Sequence, residues 1–154
     1  MSNLSVNRSE NEVGDHAVET TQLSPFVVRT RLVFQAMVMI FAICIMVQVF
    51  FAGLALFWNP AQWATHKGFA SMLFIVSILI LVLSFIARLP LALRMRSAAL
   101  CGILILIVVS AKLPSGIGYV SALHPVLALM LFFGSVSLMR KTNALQKNNE
   151  SQRR

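Results

Sequence analysis

His66 and His124 are the residues of this 154-residue chain best suited to chemistry. Each stands in an apolar stretch with no carboxylate nearby in sequence. A neutral imidazole can ligate a metal or carry a proton. Two imidazoles approaching one iron from opposite faces can hold a flat macrocycle such as b-type haem. Four residues beyond each histidine is an alanine, Ala70 and Ala128, small enough to leave room for a porphyrin. Gln48 can fix an imidazole tautomer by a hydrogen bond, as the partners of metal-bound histidines do. Lys67 and Lys112 can neutralise haem propionates. The same residues support a plainer reading. A histidine near the membrane surface can bond a backbone carbonyl or Gln48 and hold helices together. Pro125, directly after His124, is expected to free a carbonyl one turn back that a polar neighbour would repair.

Helices must position these residues, and the surroundings of those helices can be read from charge. Of the residues, 58% are hydrophobic and 12% charged, where a soluble domain carries about 25% charged. No Asp or Glu occurs between Thr20 and Asn149. A water-soluble bundle would need acids on its wet faces, so lipid is the expected environment. Four apolar runs are long enough, or nearly so, to cross a bilayer, which takes about 20 residues. The predicted helices are 32–58, 60–87, 96–113 and 120–139, within a membrane domain spanning 29–140. Asn59-Pro60 suits a helix start, and Arg88-Leu89-Pro90 a helix stop. Lys112 falls near a helix end, from which it can snorkel to the headgroups. Residues 1–28 are expected to be a disordered tail, and 141–154 a second polar tail with a frayed helix end.

The fold class expected is an all-α, four-transmembrane-helix, up-down-up-down bundle. Arg29, Arg31, Arg88, Arg94, Arg96, Arg140 and Lys141 flank helix ends on one side, and only Lys67 and Lys112 flank the other. The positive-inside rule then places both termini in the cytoplasm, with a bacterial plasma membrane as the natural setting. Helices two and four run in the same direction and are diagonal in a square bundle. His66 lies about 9 Å along its helix from Pro60, and His124 near the start of its own, so the two imidazoles are expected at similar depth.

Several function classes are excluded or disfavoured. The net charge of +8 does not signal nucleic acid, because the basic residues punctuate helix ends rather than forming one patch. Cys44 and Cys101 have no metal-site spacing and read as buried thiols, with no disulfide expected on the reducing side. The eight methionines read as core filler. No cleavable signal peptide is expected, because the first 25 residues lack an apolar segment. There is no embedded carboxylate, phosphate loop, zinc-protease motif or paired serine nucleophile, so an enzyme is the less favoured reading. Ala64/Gly68 and Ala98/Gly102 fit a small-xxx-small pattern for close helix contact. Gln35 and Gln48 can serve as interhelical glue.

Four segments carry a resemblance: Val47-Gln48-Val49-Phe50-Phe51-Ala52-Gly53-Leu54, Thr65-His66-Lys67-Gly68, Ala87-Arg88-Leu89-Pro90 and Ser121-Ala122-Leu123-His124-Pro125-Val126. Over roughly 29–140 the chain resembles a family of small bacterial four-span membrane proteins that has only a domain-of-unknown-function label. Ala-Leu-His-Pro-Val is its most specific element. More loosely, the chain resembles one four-helix half of haem A synthase, which places haem-ligating histidines on its second and fourth helices. It departs from that enzyme in having a single half and no embedded acid. That resemblance implies haem binding through His66 and His124 rather than haem A synthesis. The alternative is a non-catalytic helical subunit or stabiliser of a larger complex, with a membrane protein partner or a second copy of the chain.

Overall fold

The structure, a computed structural model, describes residues 24–112 and 120–151. Four helices span most of them: α1 Pro25–Phe57, α2 Gln62–Ile86, α3 Leu91–Ser110 and α4 Leu123–Ser151. There is no strand among the described residues. α1 packs against α2 and α4, and α3 packs against the same two. The helices therefore stand at the corners of a square with alternating direction, and α2 and α4 lie on a diagonal.

Each helix has a stretch of mean hydropathy between 1.9 and 2.8, of which only 17–28% is buried inside the bundle. The rest turns large apolar side chains outward, among them Phe50, Met72, Phe85 and Phe133. Water would not tolerate four such faces at once, and lipid does. The chain is a multi-pass membrane protein. Of the methionines expected as core filler, Met37 and Met139 pack against the core, whereas Met39, Met46, Met72, Met95 and Met130 are exposed on the outer surface.

The interior is built from stripes at helical spacing. α1 contributes Phe34, Val38, Phe41 and Ile45. The other helices mix large apolar residues with small hydroxyls: Leu73, Ser77, Ile80 and Ser84 on α2, then Leu93, Ser97, Leu100 and Leu104 on α3. On α4 the stripe is Leu131, Ser135, Leu138 and Thr142. Residues three and four apart share a face, so each stripe is one side of the core. A buried hydroxyl is costly unless bonded. Each of these donates to a carbonyl of its own helix, as Ser84 to Leu81 at 2.6 Å and Ser135 to Leu131 at 2.8 Å. Their small size lets the helices approach.

The small-xxx-small pairs do not work in this way. A methyl group added at Gly68 or Gly102 would meet open space, whereas one at Gly134 would meet Leu100 Cδ2 at 2.9 Å. Gly134 on α4 is therefore the glycine at a close helix contact. Cys44 is half-buried and Cys101 buried; both are free, and Cys101 Sγ lies 3.2 Å from the carbonyl of Ser77.

Helix ends differ from the expected ones for local reasons. α1 starts at Pro25, where proline suits the first turn, rather than at Leu32. α4 continues to Ser151, so the polar segment after Lys141 is helical. Within the α4 extension Thr142 is fully buried and Leu145 packs on the core. Of the tail expected at residues 1–28, positions 1–23 lie outside the described residues, as do 152–154. α3 begins at Leu91 and ends at Ser110, so Arg94 and Arg96 are helical, and Lys112 lies in a turn beyond the helix.

The turn between α2 and α3 is closed by an unexpected device. Arg88 has φ +47, the left-handed conformation that usually ends a helix with glycine. The N–H of Leu89 bonds the carbonyl of Ser84 and that of Arg88 bonds Phe85, at 3.2 and 3.0 Å, the paired bonds of a Schellman cap. Arg31 on α1 is 7% exposed and donates across to this cap, Nε to the carbonyl of Ala87 at 3.2 Å and a terminal nitrogen to that of Arg88 at 3.3 Å. Carbonyls at a helix C-terminus lack intrahelical partners. Here a buried guanidinium supplies them.

Candidate functional site

The opposite end of the bundle holds the histidines. α2 opens with a tight first turn. Asn59 Oδ1 accepts the N–H of Ala61 at 2.9 Å, and Gln62, Trp63 and Ala64 each bond three residues back. Regular α-helix then begins at Gln62, one turn before His66. α4 is entered through a short 3₁₀ turn at 120–122. The Ser121 hydroxyl donates to the carbonyl of Ser110 at 3.0 Å, capping the end of α3. Pro125 consequently falls in the first turn of α4, where its missing N–H has no intrahelical acceptor to lose. The helix break expected beside His124 does not occur, and His124 is not there to repair one.

His66 and His124 meet across the diagonal. Their ring centres are 6.3 Å apart, with planes inclined by 47°. Both residues are half-buried. His66 is held on two further sides. The ring of Trp63 meets it edge-to-face at 5.4 Å, and its Nδ1 lies 3.2 Å from the carbonyl of Gln48 on α1. A carbonyl can only accept, so Nδ1 carries the proton and Nε2 presents its lone pair. The bond is returned by the Gln48 side chain, whose Nε2 donates to the carbonyl of His66 at 2.9 Å. Gln48 thus fixes the imidazole through its backbone and α2 through its side chain.

Two polar atoms in this layer are buried with no hydrogen-bond partner among the described residues: Gln48 Oε1 and His124 Nδ1. Buried polar groups are nearly always bonded; Gln35 Nε2 and Arg94 Nε, at the other end of the bundle, are unpartnered in the same way. Lys67 and Lys112 are exposed, and neither side chain bonds to the pair. Ala70 and Ala128 are half-buried one turn beyond the histidines. Phe51 and Phe69 pack edge-to-face at 5.4 Å, joining α1 to α2. No group of three or more His, Cys, Asp or Glu gathers among the described residues, so any metal here would rely on the two imidazoles and ligands of its own. Trp63 was not singled out from the sequence as a site residue. Its position three residues before His66, on the same helix face, was the available sign that it walls the site.

Residues 48–112 match a family of unknown function, DUF6220. The matched stretch begins at Gln48, contains His66 and Lys67, and ends at Lys112. It is shorter than the 29–140 expected, and the His124-Pro125 element, expected to be the most specific, lies outside it. Neither curated proteins nor solved structures gave a match to the chain, and no likeness to haem A synthase emerged.

Proposed function

We propose that this membrane protein holds one b-type haem iron between His66 and His124 and serves a redox-associated role. The observation that carries the reading is the ring separation of 6.3 Å across the α2–α4 diagonal. Two imidazoles on opposite sides of one metal, with bonds of about 2 Å, have ring centres about 6 Å apart. The fixed tautomer of His66 and the unpartnered Nδ1 of His124 support it. Haem, when bound, supplies one-electron transfer. The chain's own part is to hold and orient the ligands. Gln48 keeps the proton of His66 on Nδ1, Trp63 blocks ring rotation, and the lipid-facing helices exclude water. Lys67 and Lys112 are proposed as propionate partners. We place the histidine end outside, and the Arg-rich end with both termini in the cytoplasm of a bacterial cell, on the distribution of basic residues.

Visible spectra of the purified full-length protein, oxidised and then reduced with dithionite, test this. Sharp reduced bands are expected, lost in both His66→Ala and His124→Ala. A protein that stays colourless when haem is supplied during expression would end the reading.

A second reading is a non-catalytic subunit or stabiliser of a larger membrane complex. The mutual Gln48–His66 bonds favour it, because they lock α1 to α2 through the chain's own groups. Under this reading the histidine variants are colourless like the parent and only soften helix packing.

A further inference from the structure

At the Arg-rich end, a groove of about 360 Å³ runs along α4, lined by Phe133, Val136, Ser137, Arg140, Lys141 and Ala144. Arg96 reaches it from α3, its terminal nitrogen 3.5 Å from Ser137 Oγ. Three cations and a hydroxyl therefore share one rim. The chain has no carboxylate between Glu19 and Glu150. Glu150 lies ten residues beyond Arg140 on the same helix, about 15 Å away along the axis. No neighbouring helix offers an acid to neutralise this rim.

The other half of the groove is apolar. Phe133, 65% exposed, lies seven residues before Arg140, about 10 Å deeper along α4 and within the hydropathic span. A charged rim at the headgroup level, continuing into an apolar wall at the acyl level, matches an amphiphile and not a soluble anion. Basic pockets at helix ends on the cytoplasmic side are suited to anionic headgroups. Arginine adds paired donors that fit phosphate oxygens.

We propose that this groove is a binding site for an anionic phospholipid. Arg140, Lys141 and Arg96 take the phosphate, Ser137 orients Arg96, and an acyl chain lies along Phe133 and Val136. The site is separate from the histidine pair, at the other end of the bundle, and does not depend on haem.

Native mass spectrometry of the full-length chain tests it, after reconstitution in bilayers mixing phosphatidylglycerol and phosphatidylcholine. A retained phosphatidylglycerol adduct is expected over phosphatidylcholine. The double variant Arg140→Gln/Lys141→Gln should reduce that preference by about 10–30-fold, at roughly one power of ten or less per basic residue. Arg29→Gln, a change at the same end but off the groove, should leave it intact. An unchanged thermal midpoint would show that the double variant is folded. Equal retention of the two lipids, or a double variant that keeps the preference, would overturn the proposal. So would displacement of the adduct by millimolar inorganic phosphate, which would point to a soluble anion. A preference that appears only once residues 1–23 are removed would also overturn it, because the chain's own acidic segment would then be the occupant.

Discussion

The two ends of the bundle solve the same problem differently. Each must terminate helices and satisfy polar groups at a membrane surface. At the Arg-rich end the α2–α3 turn is closed by paired cap bonds and by a buried guanidinium that takes two more carbonyls. At the histidine end the α1–α2 turn is closed by backbone bonds and the neutral Asn59 side chain. Phe57 and Trp58 are strongly exposed, and Gln48 Oε1 and His124 Nδ1 are buried without partners among the described residues, as Gln35 Nε2 and Arg94 Nε are at the Arg-rich end. The contrast separates an end where a buried charge completes a helix cap from one where neutral groups do, and the unpartnered atoms of the second lie beside a pair of imidazoles.

Substitutions at the two ends should therefore differ in size. Arg31→Met removes two charge-assisted bonds and strands the carbonyls of Ala87 and Arg88, so a loss of about 3 kcal/mol is expected. This would appear as a clear fall in the unfolding midpoint in detergent. A midpoint within error of the parent would show that the guanidinium contributes nothing net. Arg88→Gly should act in the opposite direction. It relieves a left-handed conformation that costs a side-chain-bearing residue about 1 kcal/mol, while the two carbonyl bonds from Arg31 are kept. A destabilised Arg88→Gly would mean that the Arg88 side chain has its own anchoring role. Gln48→Leu should have the smallest effect, below about 0.5 kcal/mol, because it removes one donated bond and one unsatisfied acceptor together. The His66 Nδ1 bond survives, since its acceptor is backbone. A loss comparable to that of Arg31→Met would erase the contrast between the two ends.

What the sequence made legible follows from how each signal is encoded. The four helices and their membrane setting show in the long apolar runs and the missing acids, which need no partner to be read. The meeting of His66 and His124 followed from counting turns on two helices of the same direction. Gln48 was found as a residue able to fix a tautomer, although its backbone carbonyl, invisible in composition, holds the imidazole. The hydroxyl stripe was missed. Ser77 and Ser84, and Ser135 and Thr142, repeat at seven residues, and that spacing could have marked the inward face. Arg31 was read as a topology marker because sequence alone does not show that a cation will be turned inward. The left-handed Arg88 was hidden because glycine is the usual sign of that turn, and the helix stop was credited to Pro90.

Arg31 also constrains the order in which the molecule can be built. Its acceptors lie 56 and 57 residues later in the chain. Until those acceptors exist the guanidinium has no hydrogen-bond partner in its own helix, and a long basic side chain near a helix end can reach the headgroups, where water and phosphate solvate it. Only after the α2–α3 turn has formed can the side chain be drawn in against Ala87 and Arg88. The side chain is thus made before the turn it binds, and the closing of this contact depends on the central hairpin being complete.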